Sequence, residues 1–180
     1  RGRASLRLET ECSTLEARGS ERLRVKFSAI EAVLPSEKLT NEEVLERLAE
    51  DSRAFLSEKE LKASLRLMRF AFKAMGTSVR YRRSADETPF ELCAEAGRRA
   101  LARAELAPED IDLVMYVGVG RGFIEPATAY VFQDLLGLRN ATCFDILDAC
   151  ASWLRAVHVA RAFLDAGTYH KVLILNAEFN

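Results

Sequence analysis

"FDILDACASW" (residues 144–153) runs from an apolar, strand-like stretch through a short turn into the start of a helix, with Cys150 at the junction. A cysteine in that place has two readings. It can be a small buried apolar side chain. It can also be a nucleophile, presented where backbone N–H groups point outward and the helix dipole favours a thiolate. Position alone leaves both open.

The flanking sequence sets the fold around that turn. Downstream, Ala151–Ala166 has helical spacing and stops at Gly167, and KVLIL (171–175) is a continuous apolar run. Upstream, LVMYV (113–117) is another such run, PATAYVFQDLLG (126–137) is a helix with a glycine stop, and TCFDI (142–146) is a short strand. Continuous apolar strands suit a parallel sheet buried on both faces. The alternation therefore predicts an α/β fold, a βαβαβ unit with helices on both sides of the sheet. Such sheets bind ligands at the carboxyl ends of their strands, where Cys150 falls.

Further upstream, Thr88, Pro89 and Glu91 supply a cap, a first-turn proline and an acid for a helix reaching about residue 104. RVKFSAIEAVLP (24–35) alternates Val25, Phe27 and Ala29 and predicts a strand ended by Pro35. Thr40 with Glu43, and Ser57 with Glu60, make two capping boxes. The second opens a helix with Leu61, Leu65, Met68, Phe72 and Met75 on one face, a stripe that predicts core packing, ended by Gly76. SVRYRRSADET (78–88) reads as an exposed basic strand or loop, and residues 1–22 as a charged extension. KVLILNAEFN (171–180) places no helix after its buried strand, so residues 23–180 are expected to be part of a larger fold.

Composition narrows the function. The chain has 180 residues, 49% hydrophobic and 29% charged, as in a globular domain. Its 26 lysines and arginines against 27 acids give no electrostatic case for nucleic acid. The densest apolar stretch, LVMYVGVG (113–120), is too short to span a bilayer, and the start shows no signal peptide. Cys12, Cys93, Cys143 and Cys150 form no CxxC pair and there are two histidines, which argues against zinc and for a reducing, cytoplasmic setting. GVGRG (118–122) follows a strand, but Phe123 takes the third glycine position of a dinucleotide loop. His158 is eight residues along the helix from Cys150, about 12 Å away and out of reach as its base. His170, in a turn before the last strand, reads as structural.

FDILDACASWLRAVHVARAFLDAGTYHKVLILNAE resembles the nucleophile segment of thiolase-superfamily condensing enzymes of the ketoacyl-acyl-carrier-protein synthase III type. VKFSAIEAVLPSEKLTNEEV resembles the first strand and "LP…TN" loop of that family, SVRYRR its basic segment, and PEDIDLVMYVGVG…EPATAYVFQDLLGL its second strand and following helix. The likeness implies the amino-terminal half of a duplicated, layered α-β-α-β-α fold. It also implies transfer of an acyl group from a thioester to Cys150, then Claisen-type carbon–carbon bond formation in fatty acid, polyketide or related lipid biosynthesis. FIEPATA (123–129) resembles the form found in thiolases that join two acyl chains head to head in olefin biosynthesis, where Glu125 would act as base across a dimer. Arg80 would meet the phosphates of coenzyme A or a carrier-protein arm, and Phe123 and Trp153 would contact substrate. No cofactor is expected, since coenzyme A or acyl-carrier-protein thioesters serve as substrates. The expected assembly is a homodimer, with the family's His and Asn in the missing carboxy-terminal half. Two departures stand out. Asp148 replaces a small residue and would raise a nearby thiol pKa, and residues 55–76 are longer and more helical than the family's equivalent. Acyl transfer to an alcohol or amine, or a non-catalytic structural role, are the alternatives.

Overall fold

A computed structural model describes residues 25–178, so the expected extension at 1–22, and Cys12 within it, lie outside the described residues. The elements begin with β1 (Glu37–Thr40), α1 (Asn41–Ser52), α2 (Glu58–Met75), β2 (Val79–Arg82) and α3 (Pro89–Arg103). They continue with β3 (Leu113–Gly118), α4 (Thr128–Leu136), β4 (Thr142–Leu147), α5 (Ser152–Asp165) and β5 (Val172–Asn176).

Strand β3 is apolar along its length because both of its faces are covered. It is the middle strand of a parallel sheet ordered β4-β3-β5, and all six of its residues are buried. Val114 and Tyr116 pack with Cys93, Ala94, Ala129, Phe132 and Leu136 of α3 and α4. Leu113, Met115 and Val117 point the other way, onto Ala156 and Ala160 of α5. Burying each large side chain of this strand contributes about 1.5–3 kcal/mol. The expected helix–sheet–helix layering is present.

The registers align the carboxyl ends. Gly118 of β3 pairs with Leu147 of β4, and Val117 pairs with Asn176 of β5. The segments leaving the three strands therefore emerge side by side.

The earlier residues form a smaller unit. β1 and β2 pair antiparallel, with Leu39 opposite Arg80. Both capping boxes form: the Thr40 N–H donates to Glu43 Oε2 at 2.6 Å, and that of Ser57 to Glu60 Oε2 at 3.0 Å. Of the apolar stripe on α2, Phe72 is buried and Leu61, Leu65 and Met68 are half-buried, whereas Met75 is exposed.

The strand expected at 24–35 is not formed. Residues 25–35 have no ladder partner among the described residues, and Val25, Phe27, Ile30 and Leu34 are exposed. The first strand is instead Glu37–Thr40, beyond Pro35. Alternation makes a segment competent for a ladder, but a strand exists only where a second backbone supplies its hydrogen bonds. Here residues 25–33 and Pro35 face β5 and α3 across a groove of about 2170 Å³.

Candidate active site

The turn after β4 is tightly constrained. Ala149 has φ 46°, the left-handed region that non-glycine residues enter at a cost of about 1–2 kcal/mol. A single 3-10 turn, Ala149–Ala151, then feeds α5. Ser152, 2% exposed, holds this geometry. Its Oγ accepts from the Asp148 N–H at 2.8 Å and lies 2.8 Å from the Gly118 carbonyl and 2.7 Å from that of Ala149, donating its proton to one of them. One buried hydroxyl thus lies between this turn and the end of β3, and Cys150 stands exposed on the turn.

Asp148 does not act on the thiol as a lone carboxylate. Its Oδ2 accepts from Arg155 Nε at 3.0 Å and Nη2 at 2.8 Å, one helical turn into α5. The guanidinium offsets the charge that the sequence placed two residues before the cysteine.

The other two cysteines among the described residues, Cys93 and Cys143, are buried. Burial pushes the Cys93 thiol up to about 12, despite its 3.7 Å hydrogen bond to the Asn176 carbonyl. Burial, with the charge of Asp145, pushes Cys143 up to about 11.

Beside this turn lies the segment between β3 and α4. The Tyr116 hydroxyl, whose pKa burial also raises, lies 2.8 Å from the Gly120 carbonyl and 2.7 Å from that of Ala177. The Val119 N–H donates to Glu178 Oε1 at 3.2 Å. Phe123 stacks on Phe90 with ring centroids 5.5 Å apart. Two glycines of GVGRG serve packing: a Cβ on Gly118 would come within 2.7 Å of the Tyr116 hydroxyl, and one on Gly122 would enter the Phe90 ring. The segment ends in a cis Glu125–Pro126 peptide.

Asp145 was not singled out in the sequence, yet it organises this end of the sheet. From β4, its carboxylate accepts from the Thr128 N–H at 2.7 Å and the Ala129 N–H at 2.9 Å. It caps α4 from a neighbouring strand, a role a local pattern does not reveal. An acid inside an apolar strand was the available signal.

The predicted residues therefore divide. Cys150, Glu125 and Phe123 come to the same end of the sheet. Glu125 is exposed in this chain. It does not cap α4, since Asp145 does. Trp153 lines the groove beside β5, which Cys150 does not line. Arg80 is occupied in the smaller unit: it stacks 3.7 Å over the Phe72 ring and donates to Asn41 Oδ1 at 2.7 Å and Thr77 Oγ1 at 3.2 Å. His158 is exposed on α5, and His170 bonds Asp112. No cluster of metal-binding side chains occurs among the described residues, and none of their helices is long and apolar enough to cross a membrane.

Comparison with known proteins places this geometry. Residues 144–180 match the family model for 3-oxoacyl-acyl-carrier-protein (ACP) synthase III. A beta-ketoacyl-acyl-carrier-protein synthase III of Desulfitobacterium hafniense is 41% identical over 96 residues, 53% of this chain and 29% of that protein. One from a Sulfurovum species is 32% identical over 153 residues, 84% of this chain and 40% of the relative. The chain thus spans less than half the length of the curated relatives it matches. Among solved structures, the Aquifex aeolicus synthase III superposes with a TM-score of 0.69 at 26% identity, covering 85% of this chain and 44% of that one. Xanthomonas campestris OleA superposes with a TM-score of 0.68 at 22% identity, covering 84% and 44%, a likeness of fold.

Proposed function

Since this chain is a partial, ketoacyl synthase III-like member of the thiolase superfamily, we propose that it carries the acyl-accepting half of a thioester-condensing enzyme in fatty acid or related lipid biosynthesis. One observation carries the reading. Cys150 is an exposed thiol on a hydrogen-bonded turn at the carboxyl end of a parallel sheet, next to the segment bearing Glu125.

The Cys150 thiolate attacks the carbonyl of an acyl thioester. A new carbon–sulfur bond forms, and the coenzyme A or carrier thiolate departs with the electron pair of the bond that breaks. A second acyl thioester, made nucleophilic by loss of carbon dioxide or of a proton, then attacks the acyl carbon and releases Cys150 as thiolate. Glu125 is the proton acceptor in the direct version. It has no hydrogen-bond partner among the described residues, so its carboxylate is available to a second subunit's site. The family's His and Asn would come from the remainder of the protein.

The test separates the two half-reactions in the full-length protein. Cys150→Ala should form no acyl-enzyme with acyl-coenzyme A, as read by intact mass. Glu125→Gln should acylate normally while condensation falls about 10²–10⁴-fold, the usual worth of a positioned base. Acylation surviving in Cys150→Ala overturns the nucleophile. Unchanged turnover in Glu125→Gln removes the base.

A further inference from the structure

Ser152 is the first residue of α5, and it is buried. A hydroxyl at a helix start ordinarily caps the amides that follow it. This one reaches backward. Its Oγ accepts from the Asp148 N–H and sits within 2.8 Å of two carbonyls, those of Ala149 and Gly118. The Ala149 carbonyl also accepts from the Ser152 N–H. The contacts to Asp148 and Ala149 bracket the backbone dihedrals of those two residues, and the contact to Gly118 reaches a different strand.

The bracket matters because of what lies inside it. Ala149 has φ 46°, and a residue with a Cβ persists there only where its surroundings over-determine the conformation. A return of φ to the ordinary negative range would redirect the chain at the residue immediately before Cys150. The far anchor is itself confined. Gly118 pairs with Leu147 at the end of β3, and a Cβ on it would lie 2.7 Å from the Tyr116 hydroxyl and 2.9 Å from the Ala177 carbonyl. Ser152 is enclosed by this chain's own residues, and its three partners are all main-chain groups.

We propose that Ser152 is a positioning residue for Cys150, its hydroxyl holding Ala149 in the left-handed conformation from which the thiol is presented at the end of the sheet. This rests on the acyl-transfer reading, in which a displacement of about 1 Å at the reacting sulfur is worth about 10²-fold in rate.

The experiment uses the full-length protein and follows acylation of Cys150 by acyl-coenzyme A through intact mass, with the rate expressed per folded enzyme. Ser152→Ala should slow acylation by up to about 10²-fold. Adding Ala149→Gly to that variant should restore most of the rate, because glycine takes a positive φ without help from the hydroxyl. Ala149 is exposed in this chain. Ala149→Val, which disfavours the same φ while leaving Ser152 in place, should therefore reproduce the defect without opening the core. A hydroxyl with a purely structural role would lower the urea midpoint, leave acylation by folded enzyme unchanged and gain nothing from the glycine.

Amide hydrogen exchange reads the turn without substrate. The Ala151 N–H donates to the Asp148 carbonyl at 3.0 Å. It should exchange about tenfold faster in Ser152→Ala, the worth of one ordinary hydrogen bond, and slow again in Ala149→Gly/Ser152→Ala. If the wild type forms no acyl-enzyme, the acyl-transfer reading fails and the Ala151 exchange still decides the role of Ser152. Equal exchange in wild type and Ser152→Ala overturns the proposal, as does a loss of acylation that Ala149→Gly does not relieve.

Discussion

Cys93, Cys143 and Cys150 share one helix–sheet unit and differ in what surrounds the sulfur. Only Cys150 is exposed, while burial holds the Cys93 thiol at about 12 and helps to hold Cys143 at about 11. Near about pH 8, limiting iodoacetamide should therefore label Cys150 before either, as read by peptide mass spectrometry. Labelling of Cys93 or Cys143 first would contradict the assignment. The same shift predicts a pH dependence. The folded state holds the Cys93 proton more tightly than the unfolded chain, so this group's contribution is whole below the ordinary thiol value of 9.0 and is lost as pH rises through about 12. In Cys93→Ala, denaturation midpoints should fall less steeply across that alkaline interval than in the wild type.

At the scale of elements, β4 connects the two halves of the candidate site. Its last residues lead to Cys150, and Asp145 within it holds the start of α4 immediately after Glu125–Pro126. Asp145→Ala leaves two helix N–H groups without their acceptor and should cost about 1–2 kcal/mol in urea denaturation. Asp145→Asn, which keeps one acceptor oxygen, should cost less. If the cap positions the Glu125 segment, condensation should slow in Asp145→Ala while acylation of Cys150 persists. Equal loss of both steps would mark a purely structural role. Helix starts at Thr40, Ser57 and Thr88 were legible because a cap is a contact across three residues. The Asp145 cap spans 17 residues to Thr128 and was not.

At the scale of the molecule, β5 pairs with β3 on one side, and its other edge borders the groove against residues 25–33 and 35. Unpaired N–H and C=O groups beside apolar side chains are a template for another strand. A polypeptide of these 180 residues should therefore self-associate, as measured by sedimentation velocity. A compact monomer with a cooperative melt would show that the edge is satisfied within the chain.

The sequence by itself determined the elements whose causes are local or periodic. Caps, glycine stops and unbroken apolar runs located five helices and the three parallel strands, and the ACA turn marked Cys150. What it left undecided depended on partners distant along the chain. Residues 25–35 had a strand's alternation but met no second backbone among the described residues, while Glu37–Thr40 became a strand because Val79–Arg82 lay opposite. Arg80 was a free cation in the sequence and is engaged by Phe72, Asn41 and Thr77 in the fold. Asp148 was an unfavourable neighbour for a thiolate until α5 brought Arg155 to it. Backbone pairing and charge compensation are properties of juxtaposed atoms, and only the tertiary structure brings those atoms together.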